Sequence, residues 1–235
     1  MKKRILSILL LCCMVLTLLP TTVLAADGPM DTIPKYDVSI DVYNRTSDIS
    51  IKDSRSYYIY SSVPDKLRDT WAWDKKIFIK GDKTAPHVFI DGVNIEMSPS
   101  SKGPAIELNK KASAYIYFIG KNSSLQGADG RAAIQKNRSE GQLYVLARTG
   151  TTVTCKGGDK AAGIGGSYAT RNISNGYYNG DMFGHGVNMH FGSQTNPSLW
   201  SGTIIAKGGD GGAGIGGGCW TSLQDMDGDT AAYNI

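Results

Sequence analysis

Several groups of residues in this 235-residue sequence have types and spacing that could do chemistry. Gly158-Asp-Lys-Ala-Ala-Gly163 has the outer spacing of a phosphate-cradling loop. Such a loop needs Lys and Ser or Thr directly after its last glycine, and a helix N-terminus to hold the anion. Ile164-Gly165 stands there instead, so nucleotide binding is excluded. His185 and His190 lie five residues apart with Asp181 nearby. These are metal-ligating types, but nothing in the spacing turns both rings towards one point. Asp225, Asp227 and Asp229 alternate around Met226 and Gly228 like the start of a calcium loop, without its terminal bidentate glutamate. Calcium is therefore the one cofactor the sequence suggests, and a polar terminal turn is the alternative reading.

Carboxylates beside basic residues raise polysaccharide cleavage as a second class of chemistry. A lyase needs a base close to carboxylates that hold calcium, and a hydrolase needs two carboxylates at a set separation. Asp129 with Arg131, Asp159 with Lys160, and Asp210 are the candidates. Asp159 and Asp210 occupy equivalent places in a repeated turn, which favours a structural role. Sugar binding needs only flat rings for the apolar faces of the sugar and amides, hydroxyls or carboxylates for its hydroxyls. The stretch Ser167–Ser201 supplies both, with Tyr168, Tyr177, Tyr178, Asp181, His185, His190 and Trp200 as candidate contacts. A polysaccharide or cell-surface glycan is the expected partner. The alternative is that these rings only pin the stretch to the body of the protein.

What must position these residues is a repeated phrase. Thr152-Val-Thr-Cys-Lys-Gly-Gly-Asp-Lys-Ala-Ala-Gly-Ile-Gly-Gly166 returns as Thr203-Ile-Ile-Ala-Lys-Gly-Gly-Asp-Gly-Gly-Ala-Gly-Ile-Gly-Gly217. Each copy reads as a β-branched strand, a tight turn through Gly157-Gly158 or Gly208-Gly209, and a lone core isoleucine between glycines, Ile164 or Ile215. Shorter periods appear upstream. Val88, Ile116 and Tyr144 open strand-like runs 28 residues apart. Ile95, Leu125 and Val153 step by 30 and 28, and Ile106, Ile134 and Ile164 by 28 and 30. Within a period the order is three strands and three turns, enough for one triangular coil. Ladders holding one period predict a right-handed parallel β-helix of about 28–30 residues per coil, whose coils bury a core together that none could bury alone. A β-sandwich would need hairpin-linked strand pairs, which the repeated order does not provide.

The period also divides the chain. Met-Lys-Lys-Arg, an apolar run over 5–19 and Val23-Leu24-Ala25 read as a secretory signal peptide over 1–25. The run is shorter than the roughly 20 residues that span a bilayer, so no membrane span is expected. Residues 26–80 read as N-terminal strands and a cap containing Trp71 and Trp73, 81–220 as coils interrupted by one long corner loop at 167–201, and 221–235 as a tail. The tail completes no coil, so the chain reads as a portion of a longer protein. After cleavage 22 basic residues face 21 acidic ones, which gives no field for nucleic acid. Cys155 and Cys219 would remain; a disulfide between them is one reading, a small buried hydrophobe at Cys155 the other.

The phrase Lys-Gly-Gly-Asp-x-x-Ala-Gly-Ile-Gly-Gly, preceded by runs such as Ser123-Ser-Leu-Gln-Gly-Ala-Asp-Gly-Arg-Ala-Ala-Ile134, resembles the exported glycine-rich β-helix repeat proteins of Gram-positive gut bacteria. The resemblance covers about residues 85–220. It implies surface display with an adhesin-like or carbohydrate-binding role, and it brings no catalytic residues. The chain departs from that pattern in its insertion after Gly166 and its few repeats.

Overall fold

Isoleucines Ile49, Ile77, Ile106, Ile134, Ile164 and Ile215 pair directly with one another across six parallel strands. They form one column, and the first five are almost fully buried. The computed structural model describes residues 34–81, 83–98, 101, 103–109, 111–136, 140–168 and 186–218. Among these the chain is a parallel β-helix. Sheet A stacks β1 (Val38–Asp41), β3 (Ser56–Tyr60), β5 (His87–Asp91), β8 (Ala114–Ile119), β11 (Leu143–Ala147) and β14 (Met189–Phe191). Sheet B stacks β2 (Ile49–Ile51), β4 (Ile77–Lys80), β7 (Ile106–Asn109), β10 (Ile134–Lys136), β13 (Ile164–Gly165) and β16 (Ile215–Gly216). Sheet C stacks β6 (Asn94–Glu96), β9 (Ser123–Gln126), β12 (Thr152–Lys156) and β15 (Thr203–Lys207). The chain visits A, C and B in turn, so four coils are complete and two N-terminal ones lack a strand in sheet C. No described helix is long and apolar enough to cross a membrane.

The solenoid starts within 26–80, the region expected as N-terminal strands and a cap, because β1 to β4 lie in sheets A and B. Capping is local to sheet C. Trp73 forms a single parallel bridge to Ile95, takes an amide bond from Glu96 and donates its own amide to Asn94 O. Its indole N–H donates to Arg45 O at 2.8 Å. The backbone of Trp73 thus closes the edge that β6 would otherwise expose, and its buried ring is anchored to Arg45 O. Trp71 is half-buried and meets Tyr43 edge-on at 5.5 Å.

Two of the expected ladders have a different register. Val145, not Tyr144, pairs with Ile116, so Tyr144 points outward. In sheet C the column is Ile95, Leu125, Cys155 and Ala206, while Val153 pairs with Ser123. Cys155 is a fully buried thiol in that column, and burial pushes its pKa well up; Cys219 lies outside the described residues. The repeated turn holds because glycine lets coils touch. A Cβ on Gly158 would sit 1.9 Å from Ala128 O of the coil before, and one on Gly209 equally close to Gly158 O. Gly165, at φ +125°, would drive a Cβ to 2.1 Å from Gly216 O. Only glycine fits such approaches.

The stretch 167–201 is not one loop. β14 lies inside it and adds a sixth strand to sheet A, with Met189, His190 and Phe191 paired to Leu143, Tyr144 and Val145. After β14, residues 192–202 form the described corner that leads into β15.

Candidate functional site

Alternation along a strand sends every second side chain outward, and on sheet A those positions carry rings. In the first outward column His87, Tyr115, Tyr144 and His190 are in register. Their centroids are 4.7, 4.5 and 4.5 Å apart, with planes within 16° of parallel. In the second, Tyr58, Phe89 and Tyr117 are in register. Phe89 and Tyr117 stack at 4.8 Å. Tyr36 and Tyr60 each stack on Tyr58 at 5.1 Å. The columns touch through Tyr115 and Tyr117 at 6.5 Å and His87 and Tyr117 at 5.7 Å.

Trp200 completes the second column from a distance. Thr149 N donates to Leu199 O, and the Thr149 hydroxyl bonds Ser198 O and Ser201, so the 192–202 corner is tied down. Trp200 thereby lies against Tyr117, two coils earlier, at 5.0 Å and a tilt of 47°. Tyr58, Phe89, Ile119, Tyr60, Tyr117 and Trp200 make an apolar cluster separate from the main core.

The polar atoms of this face divide into those already bonded and those free. Tyr58 OH donates to Asp91 Oδ2 at 2.9 Å, and Asp91 Oδ1 accepts the Lys121 amide. Burial, then Asp91, pushes the Tyr58 pKa well up. Tyr117 OH shares a 3.0 Å bond with His87 Nδ1, and burial pushes the Tyr117 phenol up to about 12. Burial also lowers the His87 pKa, which keeps the imidazole neutral. His190 Nε2 bonds Gln142 Oε1 at 2.7 Å. The hydroxyls of Tyr115 and Tyr144 have no hydrogen-bond partner among the described residues, and both side chains are partly exposed.

Of the residues singled out from sequence, the structure brings His190 and Trp200 onto this face. Tyr168 sits elsewhere, at the corner after sheet B, with its amide on Gly130 O and Lys160 Nζ 5.4 Å from its ring centroid. Tyr177, Tyr178, Asp181, His185, Asp225, Asp227 and Asp229 lie outside the described residues. Gly157, Gly158, Ile164, Gly208, Gly209 and Ile215 are structural: the amides of Gly157, Gly158, Lys160, Ala161, Ala162 and Gly163 all bond to backbone carbonyls. These six amides serve coil stacking and turn closure, not a phosphate cradle. The ring columns were missed in sequence, although the outward positions of β5, β8 and β11 hold His87, Tyr115 and Tyr144 one coil apart.

Because neighbouring rings in the first column stack face to face, that column shows ring edges and hydroxyl tips outward rather than flat faces. Edges carry the positive side of the ring quadrupole, and a phenol can both donate and accept. Such a surface offers hydrogen-bonding tips to hydroxyl oxygens, and not the flat stacking faces expected from the sequence for a sugar. Compared with protein-family models, with curated proteins and with solved structures, the chain matches none.

Proposed function

We propose that the protein is an exported, non-catalytic β-helix surface protein that presents the outer face of sheet A to a polysaccharide or cell-surface glycan. The observation that carries this is the in-register column His87, Tyr115, Tyr144 and His190, with the Tyr115 and Tyr144 phenols unbonded among the described residues. A solenoid closes its core from inside, so outward rings over four coils add nothing the core requires. The carboxylates in the outer columns of this face, Asp41 and Asp91, are already engaged, Asp41 by the Tyr43 and Ser62 amides and Asp91 by Tyr58 and Lys121, which favours binding over acid–base chemistry. The charged start and short apolar run of the sequence support export, and the Ala-Gly-Ile-Gly-Gly phrase supports kinship with exported glycine-rich repeat proteins.

The test is a glycan array probed with the chain from residue 26 onward and with the double variant Tyr115→Ser/Tyr144→Ser. Binding by the unaltered chain and its loss in the variant, with the far-ultraviolet strand signal kept, is the expected result. Equal binding by the variant, or no glycan bound by the unaltered chain, overturns the reading.

A further inference from the structure

Parallel strands in register repeat like positions in one direction only, along the solenoid axis, by about 4.8 Å per coil. The first ring column follows that rule closely, at 4.7, 4.5 and 4.5 Å. In the second column Phe89 and Tyr117 hold the same spacing, at 4.8 Å, and Leu146 follows Tyr117 in register. Across the strands the face is not periodic: beyond the second column come Asp41, Tyr60, Asp91 and Ile119, a mixed set in register. Trp200 stands on the second column, beside the first rather than across it. It makes a side rail and leaves the line from Tyr115 to Tyr144 unblocked by any described contact.

We infer that this face takes the interior of an unbranched, extended, β-1,4-linked hexose chain lying parallel to the solenoid axis, with one sugar per coil. The inference rests on the glycan reading above and specifies its ligand. Equivalent groups at equal spacing are best satisfied together by a ligand with a similar advance per unit, and an extended chain of β-1,4-linked hexoses advances by close to one rung per sugar, with alternate sugars turned over and hydroxyls on both of their edges. Each sugar then meets one ring edge and one hydroxyl or imidazole tip. A monosaccharide or a chain end meets a single rung and gains a single contact. Neutral hydroxyls fit the face better than charged groups, since its tips are phenols, a neutral imidazole and the Gln142–His190 pair.

The experiment is calorimetric titration of the chain from residue 26 onward with β-1,4-linked gluco-oligosaccharides from disaccharide to hexasaccharide, each with free ends and with both ends blocked by bulky labels. Affinity is expected to rise with every added sugar to the tetrasaccharide, by at least about tenfold over the disaccharide. It then levels, and the labels make no difference. Tyr144→Phe, which removes one hydroxyl and keeps the stack, should weaken the tetrasaccharide and flatten the length dependence. Equal affinity for all lengths, loss of binding on end-blocking, or binding on the array confined to branched or terminal sugars overturns the axial inference and leaves the glycan reading standing. Failure to bind any glycan in either experiment takes down the reading itself.

Discussion

The inner column of sheet B and the outer column of sheet A use the same geometry for opposite ends. Both place one residue per coil directly over the next. Inside, the residue is isoleucine at all six levels, because a close-packed interior accepts little change in volume or shape. Outside, the residues are His, Tyr, Tyr and His, since stacking in a partly wet position asks only for flat rings of similar size. The inner column specifies the coil and the outer one decorates it. An outward column can therefore alter its chemistry level by level without disturbing the coil beneath.

Placing a charge in each column is the strongest way to break this comparison. Ile134→Asp puts an unpaired carboxylate where exposure is 0% and should abolish cooperative unfolding altogether. Tyr144→Asp, one coil further along and outward, should still fold with the normal strand signal. If both unfold, or both fold, the division between specifying and decorating columns fails.

A smaller effect is expected from removing 169–185 and joining Tyr168 to Gly186 through a short Gly-Ser link. The ends are neighbours: Gly186 packs on Gly216, and Gly218 approaches Ser167 and Tyr168. Closure should therefore cost little. The melting temperature should move by only a few degrees or so, with glycan binding kept. Loss of binding in a folded variant would move the site from sheet A to 169–185. A deletion reaching Asn196 removes β14 and His190 as well, and should be far more damaging.

The smallest effect is a pH dependence confined to the outer column. Burial lowers the His87 pKa below its ordinary value of 6.5. The folded state thus disfavours the proton that the unfolded chain accepts. Its contribution is fully present above about pH 6.5 and declines as pH falls from there towards the lowered folded value. His87→Phe keeps a ring in the stack and removes this titration, so its melting temperature should fall less than wild type over that acidic window. Parallel curves for the two proteins would show that His87 is not held neutral by the stack.

The inner column was legible because isoleucine recurs between glycines at a steady interval, and those glycines are forced by backbone contact. The sheet C column was less so. Val153 and Cys155 both point inward from one strand, and alternation tells which face a residue takes without telling which level it joins. The offset at Tyr144 has another cause: β11 starts at Leu143, in register with Ala114, and a small alanine hides the true start of β8. β14 escaped because it is three residues long, Met189–Phe191, and sits among Gly, Asn and Ser. Its apolar–ring–apolar order does match Leu143-Tyr144-Val145, which was the available signal. Trp200 carried no such signal, because it reaches the face through a tied corner rather than through a strand.

The stacking of coils also has a mechanical consequence. Strand hydrogen bonds here run between coils, along the solenoid axis, and consecutive coils are consecutive in the chain. Tension applied to one end of the chain therefore loads one coil's bonds at a time rather than shearing many in parallel. The protein should lengthen as a series of separate rips, about 28–30 residues for each coil from Ile49 to Ile164 and a longer one for the coil that ends at Ile215. Pulled from one end, the protein would give way there while the remaining coils stayed folded.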